Sequence, residues 1–267
     1  FTVSGGGLDE VYVSATGNST VAGIPFTGAD ILHYYRTSNT WEMLFDASDV
    51  GLSANVSAFT FLPDGSILLS LVASANVPGV GAVTPMDVVQ FVPTQLGDNT
   101  VGSFRWYFDG SDVGLTTTAE KIDALSFFQT AAGSRRLRIS TMGTASVPHD
   151  QGGTLTMHDE DIALFIIDTP GQATSGRWSA TLHLDGTPIP GLGIEDINGY
   201  GHDGVTDDKY ILVVGAFNVG GVAGNGKSLL KFTADAGATG GYRVSLVSWL
   251  APGGTFPSNL DGLEIVR

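Results

Sequence analysis

The chain has 267 residues, 37 of them glycine and only 15% charged, a mix that suits many short strands joined by tight turns in a single all-β domain. No stretch approaches the roughly 20 apolar residues of a membrane span, so no membrane insertion is expected. The absence of cysteine excludes disulfides and thiolate chemistry, and a formal net charge of −15 disfavours nucleic acid and favours cations.

In chain order, Phe1 opens the sequence without a signal-peptide pattern, as a mature or excised segment would. The first predicted strand is 9–15, followed by a turn at Ser19-Thr-Val21. A unit of four strands then runs through Asp30–Tyr35, Trp41–Phe45, a strand opening Val56-Ser57-Ala58, and Ser66–Leu71. A second copy runs through Asp87–Phe91, Phe104–Phe108, a strand opening Ile122-Asp123-Ala124, and Arg136–Thr141. A third has Asp161–Phe165, Trp178–Leu184, a strand opening Ile197-Asn198-Gly199, and Tyr210–Gly215. The fourth has Ser228–Phe232, Tyr242–Trp249 and Leu260-Asp261-Gly262, and reaches Arg267 without a fourth strand. The octets Phe45–Leu52 and Phe108–Leu115 agree at seven of eight positions, 63 residues apart, which anchors the alignment of the copies.

The strand missing from the last copy is supplied by 9–15, because the turn after it matches Asn76–Pro78, Ser146–Pro148 and Asn218-Val219 after the other fourth strands. Copies that form a closed circle, cut inside one unit, predict a four-bladed β-propeller of four-stranded blades, its last blade closed by the N-terminal strand. One domain then covers 1–267, with blades at about 29–71, 86–141, 160–216, and 227–267 plus 9–15.

The octet Phe108–Leu115, together with Ile122–Leu125 and Val77-Pro78-Gly79, resembles tandem segments of an uncharacterised family of large secreted bacterial proteins. The resemblance implies secretion and a propeller-like repeat, and transfers no activity. The third and fourth copies depart from it, since Leu184–Ile189 and the segment from Trp249 lack the paired acids.

Gly221–Ser228 matches the phosphate-binding P-loop pattern letter for letter. A P-loop needs a helix whose N-terminus meets the phosphates. Here the continuation Leu229–Asp235 is broken by Gly237 and Gly240-Gly241, so no nucleotide is expected at this loop.

If each first strand lines the channel, Asp30, Asp87, Asp161 and Ser228 ring its mouth, with Ser57, Asp123, Asn198 and Asp261 on the same face. Carboxylates crowded around one axis repel one another unless a cation relieves them, and oxygen-only ligands suit Ca²⁺. The candidate metal residues are therefore Asp30, Asp87, Asp161, Asp123, Asn198 and Asp261, with structural Ca²⁺ as cofactor. The competing reading is that these aspartates cap loop amides in Asx turns. The same choice applies to Asp46–Asp49 and Asp109–Asp112, and Asp159–Asp161 with Glu195-Asp196 adds charge to that face.

The histidines at 33, 149, 158, 183 and 202 show no metal-ligand spacing, and no Gly-x-Ser-x-Gly elbow occurs. Arg135, Arg136 and Arg138 alternate with Leu137 and Ile139 as an ordinary strand face does, and the tryptophans at 41, 106, 178 and 249 fall in second strands, where packing between blades explains them. The long loop 147–160 is a place where function concentrates. The function expected is a secreted, non-catalytic module of the cell surface, binding a glycan or extracellular protein or acting structurally, and stabilised by Ca²⁺. The alternatives are a polysaccharide lyase or hydrolase working from the acidic channel face, or a glycan-binding lectin.

Overall fold

Short runs of β-branched and aromatic residues, bounded by glycine-rich turns, satisfy their backbone only by pairing with neighbours. In the computed structural model, which describes residues 8–247 and 256–266, sixteen such runs build four antiparallel sheets of four strands. The first three are β1 (Glu10–Ala15), β2 (Ile31–Tyr35) and β3 (Thr40–Phe45). One complete blade follows as β4 (Val56–Phe61), β5 (Ile67–Leu71), β6 (Val88–Gln95) and β7 (Val101–Phe108). The next is β8 (Ile122–Gln129), β9 (Arg135–Thr141), β10 (Ala163–Thr169) and β11 (Ser175–Trp178). The third is β12 (Ile197–His202), β13 (Lys209–Val213), β14 (Leu229–Ala234) and β15 (Tyr242–Val247). The last strand, β16 (Leu260–Val266), pairs with β1 from Glu10 opposite Val266 to Ala15 opposite Leu260, so the two ends of the chain complete the fourth blade together.

The four sheets form a ring, a four-bladed propeller closed by the N-terminal strand as expected. The innermost strands are β4, β8, β12 and β16, which pack against one another around the axis. That places the blades half a unit away from the predicted ranges. Each sheet joins the third and fourth strands of one sequence copy to the first and second strands of the next, so the sheets span 56–108, 122–178 and 197–247, and the closing sheet joins 260–266 to 10–45. The octets that mark the repeat are therefore crossings between blades.

In each blade the second and third strands are joined through a small hairpin: Ser19–Val21 with Ile24–Phe26, Ala75–Val77 with Gly81–Val83, Ala145–Pro148 with Thr154–Met157, and Phe217–Val219 with Val222–Gly224. The long loop at 147–160 is one of these hairpins. The P-loop-like segment is another, and it continues into strand β14 where a phosphate cradle needs a helix. Strand β11 ends at Trp178, short of the predicted Leu184, and the Trp178 indole N–H donates to the Val113 carbonyl at 2.9 Å. Trp249 lies outside the described residues.

The core is divided among the four blade interfaces. Between neighbouring blades, Phe45 meets Phe91 and Phe108 meets Phe165 edge to face. Backbone hydrogen bonds repeat with the same fourfold order. The first amide of each inner strand donates to the preceding blade, from Val56, Ile122, Ile197 and Leu260 to the carbonyls of Gly28, Pro85, Asp159 and Gly226, at 2.9, 3.0, 2.9 and 2.9 Å. No helix among the described residues is long and apolar enough to cross a membrane.

Because β1 lies inside its blade, between β16 and β2, its loss breaks two ladders at once. Deleting residues 1–16 should cost most of the roughly 5 to 15 kcal/mol that holds such a domain together. The check is a thermal melt with far-ultraviolet circular dichroism. A truncated chain melting within a few degrees of the intact one would contradict the closure.

Candidate functional site

Each inner strand begins with an irregularity. Opposite Leu71-Ser70, β4 pairs through Val56 and Ala58 and leaves Ser57 as an extra residue. The same slip occurs at Asp123 in β8 and Asn198 in β12, and β16 has one extra residue between Leu260 and Leu263, beside Asp261. A bulge of this kind re-aims a side chain, and here the four bulges turn Ser57, Asp123, Asn198 and Asp261 toward one cavity on the axis, of about 200 Å³.

The rim is also fourfold. The residue after each blade's second strand donates its amide to the residue before the inner strand: Thr16 to Asn259 at 3.0 Å, and Val72 to Asn55, Met142 to Lys121 and Val214 to Asp196, each at 2.9 Å. Thr16, Val72, Met142 and Val214 thus stand as a collar around the opening. Three of the four are apolar and still exposed, Val72 at 41%, Met142 at 52% and Val214 at 50%.

The floor is acidic and short of donors. The Ser57 hydroxyl donates across to the Ile122 carbonyl at 2.5 Å, and the Asn198 amide donates to the Leu260 carbonyl at 2.8 Å. Asp123 and Asp261, which alternate with them around the ring, have no proton to donate when ionised. Both oxygens of Asp123, Oδ1 of Asp196 and Oδ1 of Asn198 are buried without a hydrogen-bond partner among the described residues. Burial, then the charge of Asp196 and a hydrogen bond in which the two carboxyls share a proton, and then the Asp261 charge, push the Asp123 carboxyl well above its ordinary range. Its oxygens therefore lack a donor only once both acids are ionised. Burial raises Asp196 to about 6, and burial with the Asp196 charge raises Asp261 to about 7.

The six residues expected to hold a metal are not one group. Asp123, Asn198 and Asp261 line the axial cavity. Asp30, Asp87 and Asp161 start third strands (β2, β6 and β10), away from the axis, and their carboxylates are engaged by the turns they start. Thr27, Thr84 and His158 donate their amides to Oδ2 of Asp30, Asp87 and Asp161 at 2.7, 2.7 and 2.9 Å. Ala47, Gly110 and Gly186 donate to Oδ1 of the same residues, at 2.9, 3.0 and 2.9 Å, from the crossings to the next blade. Ser228 closes the equivalent turn by accepting from the Asn225 amide at 3.1 Å. The expected ring of Asp30, Asp87 and Asp161 at the channel mouth is corrected accordingly: they staple turns and crossings away from the axis. Among the described residues no group of three His, Asp or Glu side chains is placed to hold a metal ion.

The octet acids are staples as well. Asp46 and Asp109 accept from the amides of Ser48 and Ser111, both at 3.0 Å, while Asp49 and Asp112 reach the next blade and accept from the amides of Thr100 and Thr174, both at 2.8 Å. Gly51 and Gly114 end these turns at φ of 72° and 101°, where a side chain is disfavoured. Away from the axis, His33 is buried between the rings of Tyr12 and Tyr35, and His183 packs on Tyr200. A second cavity, about 530 Å³, lies where the blades β4–β7 and β8–β11 meet and is lined by Arg105, Trp106, Tyr107 and Arg135. Of the described tryptophans, Trp106 therefore adds a groove wall to the packing role expected of it.

The sequence reading took Asp196 only as added charge on that face and missed the apolar collar. The signal for both was present as repeated columns, Asn55, Lys121, Asp196 and Asn259 before the inner strands, and Thr16, Val72, Met142 and Val214 after the second strands.

No protein-family model and no curated protein matches the chain. Among solved structures it is similar to YCF48 bound to D1 peptide, at 10% identity and a TM-score of 0.31, over 79% of this chain and 60% of that one. It is also similar to a protein of unknown function from Bacteroides caccae, at 7% identity and a TM-score of 0.36, over 98% of this chain and 100% of that one. A protein from Lactobacillus plantarum matches at 10% identity and a TM-score of 0.35, over 94% of this chain and 85% of that one.

A carboxyl whose pKa is higher folded than unfolded holds its proton more tightly in the fold. Its contribution to stability is fully present below the unfolded value and is lost as pH rises through the folded value. For Asp261 that window runs from 3.8 to about 7. His183, depressed by burial to about 3, pulls in the opposite direction up to its ordinary 6.5, so the comparison must isolate one group. Asp261→Asn installs the residue that already serves at position 198. Its melting temperature relative to the parent chain should climb from pH 5 to about pH 7 and then level off. A difference that is flat across that range would show Asp261 to be an ordinary ionised carboxylate.

Proposed function

We propose that this chain is a non-catalytic, extracellular binding module whose axial well receives a positive charge. The observation that carries the reading is the cluster of four buried oxygen acceptors without donors at the floor of a cavity open to solvent. Leaving such atoms unsatisfied costs about 1 to 3 kcal/mol each, more for a charged group, and a bound cation removes that cost. The well offers no nucleophile with a base beside it. Its hydroxyl, on Ser57, is committed to a backbone carbonyl, and no histidine lines the cavity, which supports recognition over hydrolysis or elimination. The repeat's resemblance to segments of secreted bacterial proteins supports the extracellular setting. The partner is then one that presents a cation, which favours a protein over a neutral glycan. Ca²⁺, the cofactor expected from the aspartate columns, is the inorganic candidate for the same well.

The test separates a binding site from a structural one. Without added cation, Asp123→Asn should raise stability increasingly as pH rises, by about 1 to 3 kcal/mol where the parent carboxyl is ionised, because no donor compensates that buried charge. A cation present at a hundredfold over its dissociation constant should add about 2.7 kcal/mol to the parent chain. At about 2 to 4 °C per kcal/mol, that is a rise of roughly 5 to 10 °C in melting temperature. The rise should vanish in Asp123→Asn. Identical melts of the parent chain in chelator, in Ca²⁺ and in alkylammonium salts, with Asp123→Asn less stable than the parent, would overturn the reading.

A further inference from the structure

The floor of the axial well names a charge, and its walls narrow the chemistry. Val72, Met142 and Val214 are three of the seven large apolar side chains exposed among the described residues, and all three line this one cavity at equivalent places in three blades. Exposed apolar groups scattered singly need no explanation, but a ring of them around an acidic well does. A metal ion keeps its remaining water and gains nothing from such a collar. An alkyl chain ending in a cation gains from collar and floor together, as a lysine stem does when it lies along apolar surface with its head among polar groups.

We propose that the axial well takes the primary ammonium of an alkyl chain, its N–H groups on Asp123, Asp196 and Asn198 and its methylenes against Val72, Met142 and Val214. The inference rests on the cation-binding reading above. A primary ammonium carries three N–H donors and no acceptor, which complements a floor where the unpartnered atoms are all oxygens and where Asp123 is only 8% exposed. The cavity of about 200 Å³ accommodates one short alkylamine and no folded segment. Lys121, on the rim, forms no ion pair with these carboxylates among the described residues. With Asp123, Asp196 and Asp261 against one lysine, ionised carboxylates leave the well negative. The same chemistry has two sources, the lysine side chain of a partner polypeptide and a free diamine.

Calorimetric titration of the full chain with ammonium, methylammonium and butylammonium chlorides reads the two halves of the site separately. Affinity should rise by about fourfold per methylene until the collar is covered. Asp123→Asn should weaken butylammonium by about thirtyfold or more, with Asp196→Asn as the alternative variant if the first does not fold. Met142→Ser, on the surface, should flatten the dependence of affinity on chain length. Nα-acetyl-lysine methylamide should bind and its Nε-acetylated form should not. Binding of that probe at least as tight as 1,5-diaminopentane assigns a polypeptide lysine, and tighter diamine binding assigns a free diamine. Butylammonium no tighter than ammonium would overturn the proposal. So would Ca²⁺ binding that butylammonium cannot displace, although the cation reading would survive that result. If no cation binds, both fall.

Discussion

The close approach of four strands to one axis is the constraint on which the rest of this molecule depends. In a four-bladed ring the inner strands β4, β8, β12 and β16 meet almost side to side, and the residue after each bulge is Ala58, Ala124, Gly199 or Gly262. A β-carbon added at Gly262 would stand 2.7 Å from the Phe59 ring, and one at Gly199 would stand 2.8 Å from Leu212 and 3.0 Å from the Asp261 carbonyl. With so little room, the extra residue of each bulge is turned toward the axis, and any polar group it carries is committed to the cavity there. Geometry fixes the position of the well before chemistry decides what it holds.

What it holds is not what stability alone would choose. Ser57 and Asn198 show the quiet solution, in which a neutral side chain donates to the carbonyl that precedes the neighbouring bulge. Two more residues of that kind would satisfy the ring. The chain has aspartate at the two alternating positions instead and adds Asp196 on the rim, and burial holds these carboxyls above their ordinary range. Natural sequences break such local rules mainly where a site requires it. At the other end of the inner strands the same chain buries Glu264, but the Thr60 hydroxyl donates to it at 2.5 Å and the Ile265 amide at 3.0 Å. A buried acid is thus given donors in one place and denied them in the other.

The repeat, the strand type, the blade number and the closing role of residues 9–15 were legible because they follow from copied apolar periodicity, which survives without any knowledge of pairing. The blade boundaries were not. The segments between Phe45 and Val56 and between Leu71 and Val88 are both rich in turn residues, and nothing in their composition says which one crosses to a new blade. The choice is made by hydrogen bonds between strands, which leave no periodic trace. Shifting the boundary by half a unit exchanged inner and third strands, and with them the column of aspartates taken to face the axis. The bulges were invisible for a related reason: one extra residue leaves alternation intact on either side of it.

The two aspartate columns nevertheless differ in what surrounds them, and the difference is physical. Asp30 and Asp87 each follow a threonine three residues earlier, whose amide and hydroxyl both donate to the carboxylate, while the aspartate amide returns a bond to the threonine carbonyl at 3.2 and 3.1 Å. At Asp161 and Ser228 the residue three earlier is His158 or Asn225, and the reciprocal amide bonds remain. That is a self-contained turn, and its acid is satisfied locally wherever the turn sits in the fold. Asp123 and Asp261 follow a single buried apolar residue, Ile122 or Leu260, that anchors the strand and provides no donor. An acid whose own turn supplies its donors is a structural staple, whereas one set behind an apolar anchor must find its partner across the axis or from solvent. Ser57 and Asn198 find it across the axis. Asp123, both of whose oxygens lack a donor once it is ionised, has only another acid, Asp196, beside it.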